Sequence, residues 1–200
     1  MPATIPAKDV AALRAKTGAG MMDCKKALEE TGGDMNKAVE LLRKKGIASA
    51  DKRTGRSVAE GIIGSYVHFN GRVAVLVEVN CETDFVARTD DFKQLVADLS
   101  LHIASANPLA VRGEDVPADI VATERRIAEA QATESGKPAN VREKMVEGKV
   151  RKFLAERALL DQPFVKDDKV KVGDLVKAAS GKTGENIVVR RFVRFELGGD

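Results

Sequence analysis

Between residues 90 and 106 the large apolar side chains Phe92, Leu95, Val96, Leu99 and Ile103 recur at steps of three and four, the spacing of one helical face. Asn107-Pro108 ends that pattern, because the residue before proline is steered out of helical backbone. Upstream the character changes. Gly61–Phe69 and Arg72–Val79 are β-rich runs separated by Asn70-Gly71. That pair predicts a hairpin closed by a type I′ turn, in which both central residues take positive φ. Residues 5–46 read as three short helices. The first, near Ala7–Lys16, places Val10 and Leu13 on one side; the second, near Met22–Glu30, offers Met22, Ala27 and Leu28. Asp34 is the N-cap expected for the third, where Ala38, Val39, Leu41 and Leu42 form an apolar stripe and Gly46 is the expected stop. Downstream, helices are expected over 117–134 and 139–158, split by Ser135-Gly136-Lys137-Pro138. A short strand at Phe164-Val165, a helix near 173–180 and a strand over 187–197 complete the pattern.

These elements assemble into an α+β fold: an N-terminal three-helix module, a linker, then a core in which a small antiparallel sheet of about three strands is covered by helices. The expected divisions are a docking module at 1–46, a basic linker at 47–60 and the core at 61–200. Three helices in so short a segment bury little area, so the module is marginal alone and suited to binding something else.

With 200 residues, 44% of them hydrophobic and 32% charged, the chain is long enough and apolar enough to fold around a sizeable core. No apolar run approaches the roughly 18 residues of a membrane span. Asp9, Arg14 and Lys16 interrupt the start, so no secretory leader is expected. Cys24 and Cys81 form no Cys-x-x-Cys and lie far apart, which suits a reduced cytoplasm better than a disulfide scaffold. The net charge of +3 is uneven: residues 1–60 hold 12 Lys/Arg against 8 Asp/Glu. The N-terminal end therefore suits an acidic surface or a phosphate backbone, although a solvated surface gives the same count.

Side-chain catalysis finds no support. There is no Gly-x-Ser-x-Gly, no His-Glu-x-x-His and no Cys/His set at metal-ligand spacing. His68 and His102, the only histidines, read as structural. Gly181-Lys182-Thr183 looks like the end of a phosphate loop, but Val176 stands where its first glycine belongs and the segment follows a helix, so a helix-terminating turn is the better reading. No catalytic residue, metal or cofactor is expected. Lys52, Arg53 and Arg56, and Arg190, Arg191 and Arg194, could touch phosphates, yet no aromatic stacking platform accompanies them. Direct nucleic-acid binding is not expected.

Two segments stand out. Leu13–Leu28 carries the glycine-bracketed turn Thr17-Gly18-Ala19-Gly20, then Met21, Met22 and the Lys25-Lys26 pair. Flexible, polarizable methionines suit a protein interface, or they fill the small module's core. Residues 78–88 run Glu-Val-Asn-Cys-Glu-Thr-Asp-Phe-Val-Ala-Arg, so that Phe85 follows Asp84 at a strand-to-helix corner, in a chain only 4% aromatic. Phe85 is either a core plug or an anchor for a partner's pocket. On physical grounds both readings stay open.

Both segments resemble, in order, the two signature motifs of the elongation factor Ts family. The likeness continues through Gly136-Lys137-Pro138, Glu143–Gly148 and Gln162–Val165, and so spans essentially the whole chain. The resemblance implies a guanine-nucleotide exchange factor, acting by protein–protein binding in the cytoplasm on the translation GTPase elongation factor Tu. It implies an N-terminal module similar to ubiquitin-associated domains, whose Thr17, Gly18, Met21, Met22 and Lys25 meet the partner's nucleotide domain. It further implies that Thr83, Asp84, Phe85 and Val86 contact the partner, with Asp84-Phe85 wedged beside the Mg²⁺ site and Phe85 filling an apolar pocket. Loss of the Mg²⁺ bridge to phosphate would then release GDP and let GTP bind. With one hairpin-plus-helix unit, the chain resembles the short members that carry a single core copy, which implies a homodimer through the sheet-bearing core. A different class of function, a helical adaptor that sequesters a partner or RNA without accelerating anything, would make Phe85 dispensable for rate.

Overall fold

The computed structural model describes residues 5–199 and is α+β, as the hydrophobic pattern predicts. Contacts divide it into two compact units. One holds the residues up to Gly61 with 80–92 and 176–188; the other holds 62–79, 93–175 and the residues from Val189 on.

In the first unit, α1 (Ala7–Thr17), α2 (Met21–Glu30) and α3 (Met35–Asp51) enclose a small core of Val10, Leu13, Cys24, Ala27, Leu28, Ala38 and Leu42. Each large side chain fully withdrawn from water, such as Leu13 or Leu28, contributes about 1.5–3 kcal/mol. Asp34 caps α3 as expected, its carboxylate accepting from the N–H groups of Asn36 and Lys37 at 3.0 Å each. Those hydrogen bonds, led by that of Lys37, hold the Asp34 carboxyl below its usual range. Gly46 does not stop the helix; α3 runs through it to Asp51. A glycine ends a helix when it turns left-handed, and Gly46 keeps negative φ while another helix, α8 (Val172–Thr183), comes close at this point. A Cβ on Gly181 would lie 2.8 Å from the Cα and carbonyl oxygen of Gly46. α8 likewise continues through Gly181-Lys182-Thr183, and the turn falls one residue later at Gly184 (φ 79°).

The second unit is built on a three-stranded sheet, in the order β1 (Glu60–Val67), β2 (Val73–Cys81), β5 (Val188–Glu196). Val75, Val77 and Val79 of β2 point inward and are buried. So are Leu95, Val96, Leu99 and Ile103 of α5 (Asp90–Ala106). Gly64 of β1 leaves the space that Val96 and Ser100 occupy. The hairpin forms, but its turn is not type I′. Gly71 (φ 68°) is left-handed and Asn70 is not, because Asn70 accepts instead from the N–H of Arg72 at 3.0 Å. α6 (Ala118–Glu134) and α7 (Ala139–Arg157) pack as an antiparallel pair around Ala128, Ala132, Val146 and Val150. A second, two-stranded sheet joins β3 (Pro163–Phe164) to β4 (Asp167–Lys171). Among the described residues no helix is long and apolar enough to cross a membrane.

Candidate functional site

The corner after β2 is a sequence of threonine caps. Thr83 is extended, its hydroxyl accepting from the Val86 N–H at 3.4 Å, and it opens the single turn α4 (Asp84–Ala87). Thr89 does the same for α5, accepting from the Phe92 N–H at 3.3 Å. Residues two apart on a helical turn point roughly 200° apart. Ala87 is accordingly buried, and Phe85 stands 79% exposed. The core-plug reading of Phe85 is therefore excluded; a phenyl ring in water costs free energy unless something covers it. Val86 is half-buried beside it, and Asp84 is held by Arg88 at 2.8 Å.

The other segment is built the same way. Gly18 (φ 67°) ends α1 left-handed, its N–H donating to the Arg14 carbonyl at 2.7 Å. The Thr17 hydroxyl donates to the Leu13 carbonyl at 2.8 Å and accepts from the Ala19 N–H at 3.3 Å, which fixes the turn. Helix α2 starts after Gly20, and its first two side chains, Met21 and Met22, are 46% and 62% exposed. The module's core is complete without them. Lys25 is exposed and lies only loosely against Glu29, at 3.9 Å.

No hydrogen bond or ion pair among the described residues joins segment 17–25 directly to segment 83–86. Both belong to the first unit, and the end of α8 touches each. Lys182 lies across Gly18, where any Cβ would collide with its side chain, and its ammonium donates to Asp91 at 2.7 Å. Glu185, just past Gly184, accepts on Oε2 from the N–H groups of Glu82 (3.1 Å) and Thr83 (3.0 Å), and on Oε1 from the Thr83 hydroxyl (2.6 Å). In return, Glu82 Oε1 accepts from the Asn186 N–H at 2.6 Å, and the Asn186 amide donates to the Arg56 carbonyl at 3.0 Å. Sequence reasoning missed Lys182, Glu185 and Asn186. A glutamate after a helix end carries no local signal; its partners lie about a hundred residues earlier.

Cys81 is buried at the base of the corner, its thiol donating to the Thr83 carbonyl at 3.2 Å. Burial pushes that thiol up, and the Glu185 carboxylate pushes it the same way, so it stays protonated. No group of three or more His, Cys, Asp or Glu among the described residues is placed to hold a metal ion. What the site offers is an exposed phenyl ring on a capped corner and two exposed methionines at the start of α2.

A family model described as elongation factor TS matches residues 7–199. Proteins named elongation factor Ts from three bacteria are similar over nearly the full length. That of Anaeromyxobacter sp. strain K is 58% identical over 196 residues, covering 98% of this chain and 90% of its own. That of Carboxydothermus hydrogenoformans is 56% identical over 194 residues, covering 97% and 89%. That of Moorella thermoacetica is 55% identical over 194 residues, covering 97% and 96%.

Proposed function

The chain belongs to the elongation factor Ts family, and from that premise we propose that it is the guanine-nucleotide exchange factor of elongation factor Tu. Exposure of Phe85 on its capped corner is the observation that carries the reading. Thr17, Gly18, Met21, Met22 and Lys25 dock on the partner's nucleotide domain. Thr83, Asp84, Phe85 and Val86 form the second contact, and Asp84-Phe85 enters beside the Mg²⁺ and phosphate site. The phenyl ring exchanges water for an apolar pocket, which moves the groups that hold Mg²⁺. GDP then loses its bridging cation and leaves.

Such a catalyst works by linkage. It binds the nucleotide-free partner more tightly than the GDP form, and GDP weakens its binding by the same factor. Exchange asks no general acid, base or nucleophile of this chain. It acts in the cytoplasm, where the thiols of Cys24 and Cys81 persist unpaired.

We also propose a homodimer through the outer face of the three-stranded sheet. Ile63, Val67, Leu76, Val193 and Phe195 are all exposed there, while the inward side chains of β2 are buried. A single core copy presents one partner-facing surface, and a second copy would supply the other.

The reading is tested by release of a fluorescent GDP analogue from elongation factor Tu, with excess unlabelled GDP. Acceleration by a substoichiometric amount of this protein is expected. Phe85→Ala should slow release tenfold or more with the fold intact, since truncating an interface hot spot costs about 2 kcal/mol or more. A parent that binds elongation factor Tu without accelerating release would leave the adaptor reading in its place, and a Phe85→Ala protein that accelerates like the parent would remove Phe85 as the wedge.

A further inference from the structure

We propose that Glu185 is a positioning residue for exchange: with Glu82 reciprocating, its carboxylate holds the Thr83–Val86 corner in the shape that presents Phe85. The inference rests on the exchange reading above. It starts from a weakness in the local structure. α4 is four residues long, and an isolated helical turn fixes several dihedrals for very few hydrogen bonds. Phe85 adds nothing to the turn's stability, because its ring is in solvent. Something outside the turn must fix the direction of that ring.

The N–H groups of Glu82 and Thr83 leave the end of β2 and converge on one carboxylate oxygen of Glu185, at 3.1 and 3.0 Å. The Thr83 hydroxyl takes the other oxygen at 2.6 Å, which aims its remaining lone pair at the Val86 N–H. Hydrogen bonds to an ionised acceptor are roughly twice as strong as neutral ones, so these three far outweigh the long 3.4 Å cap. The reverse contact, Glu82 to the Asn186 N–H at 2.6 Å, ties the two turns together from the other side. Glu185 is itself held: the Ser180 hydroxyl donates to its carbonyl, and Lys182 of the same helix end is paired with Asp91. The clamp therefore joins the corner to α8, whose end also lies across Gly18 of the docking turn. A contact ring held in place before binding loses less entropy on binding than one on a mobile loop.

The test is a double-mutant cycle on the exchange trace, with wild type, Phe85→Ala, Glu185→Ala and the double variant. Glu185→Ala should lower the maximal rate of GDP release roughly tenfold, since small misplacements at a reacting centre are costly. The concentration for half the effect should change far less, because segment 17–25 still docks. In the Phe85→Ala background, Glu185→Ala should cost nothing further. Glu185→Gln, which keeps the shape and one acceptor oxygen, should recover most of the rate. Additive effects, or a Glu185→Ala protein with the parental rate, would overturn the proposal. Amide hydrogen exchange on the free protein decides independently of the partner, and Glu185→Ser, too short to reach the end of β2, serves there if the alanine variant does not fold. Glu82 and Thr83 amides should exchange faster by tenfold or more without the carboxylate, and unchanged protection would overturn the clamp. A wild-type chain that fails to accelerate release removes the exchange reading, and the amide result still reports on the corner.

Discussion

His102 sits on α5 and is almost fully buried, yet both ring nitrogens have partners. Gln162 donates its amide N–H to the Glu156 carbonyl at 2.8 Å, which turns its oxygen toward His102. Nε2–H of the ring therefore donates to Gln162 at 2.9 Å, and Nδ1 accepts from the Val165 N–H at 3.2 Å. This is the neutral tautomer. A second ring proton would point at an N–H. Burial pushes the pKa below the ordinary 6.5, the Gln162 hydrogen bond opposing it only in part. As pH falls below about 6.5 the unfolded chain takes up a proton that the folded chain refuses. The stability from this group is thus complete above 6.5 and is lost on the way down to the folded pKa, at no more than about 1.4 kcal/mol per pH unit. His102→Gln should remove that slope and, by disturbing the buried pair, lower stability at pH 8 by about 1–3 kcal/mol. Urea unfolding from pH 5 to 8 would show it, and parallel slopes for the two proteins would refute the assignment. Sequence identified His102 as structural because it lies on an apolar helical face. The groups that pair its two ring nitrogens, Gln162 and the Val165 N–H, are 60 or more positions away and carried no mark.

The close approach of α3 and α8 turns on one glycine. A Cβ at Gly181 would meet backbone atoms of Gly46 at 2.8 Å, and backbone cannot rotate aside as a side chain can. Gly181→Ala should therefore destabilise by about 1–3 kcal/mol, although alanine is the better helix former by about 1 kcal/mol. A Cβ at Gly46 or at Gly148 within α7 meets nothing within 4 Å. Those two substitutions should stabilise by about 0.5–1 kcal/mol. Denaturant midpoints would test the opposite signs, and a stabilising Gly181→Ala would mean that the helices stand further apart. The same contact explains what was legible at this scale. Helices α1, α2 and α5 were readable from apolar positions at helical spacing, and α6 and α7 from the Ser135-Gly136-Lys137-Pro138 break between them. The end of α3 was not, since glycine's meaning depends on what lies opposite. β4, with the sequence Asp-Asp-Lys-Val-Lys, was missed for a related reason: it has no strand pattern of its own and exists through pairing with β3.

At the scale of the molecule, the proposed homodimer rests on the outer face of the sheet. The Leu197 N–H donates to the Arg72 carbonyl, and Arg191 reaches Glu78 at 2.8 Å. This antiparallel register sets Phe195 beside Ala74 and Val193 beside Leu76. With Ile63 and Val67 of β1, the face is largely apolar, interrupted by Ser65 between those two and by the Arg191–Glu78 pair. A two-fold axis would lay this patch on its own copy, so that every residue is buried twice. Removing a large apolar side chain from water is worth about 1.5–3 kcal/mol, and the symmetry doubles it. Introducing a charge as Val193→Glu or Phe195→Glu should then weaken the dimer roughly a thousandfold. Light scattering at micromolar concentration should report twice the chain mass for the parent and the single mass for either variant. Both variants should keep the helical circular dichroism of the parent, since neither side chain is in the core. If the single core copy is incomplete on its own, the monomeric variants should also lose most of their acceleration of GDP release. A parent that is monomeric and fully active would end the dimer proposal, and the exposed face would then need another cover.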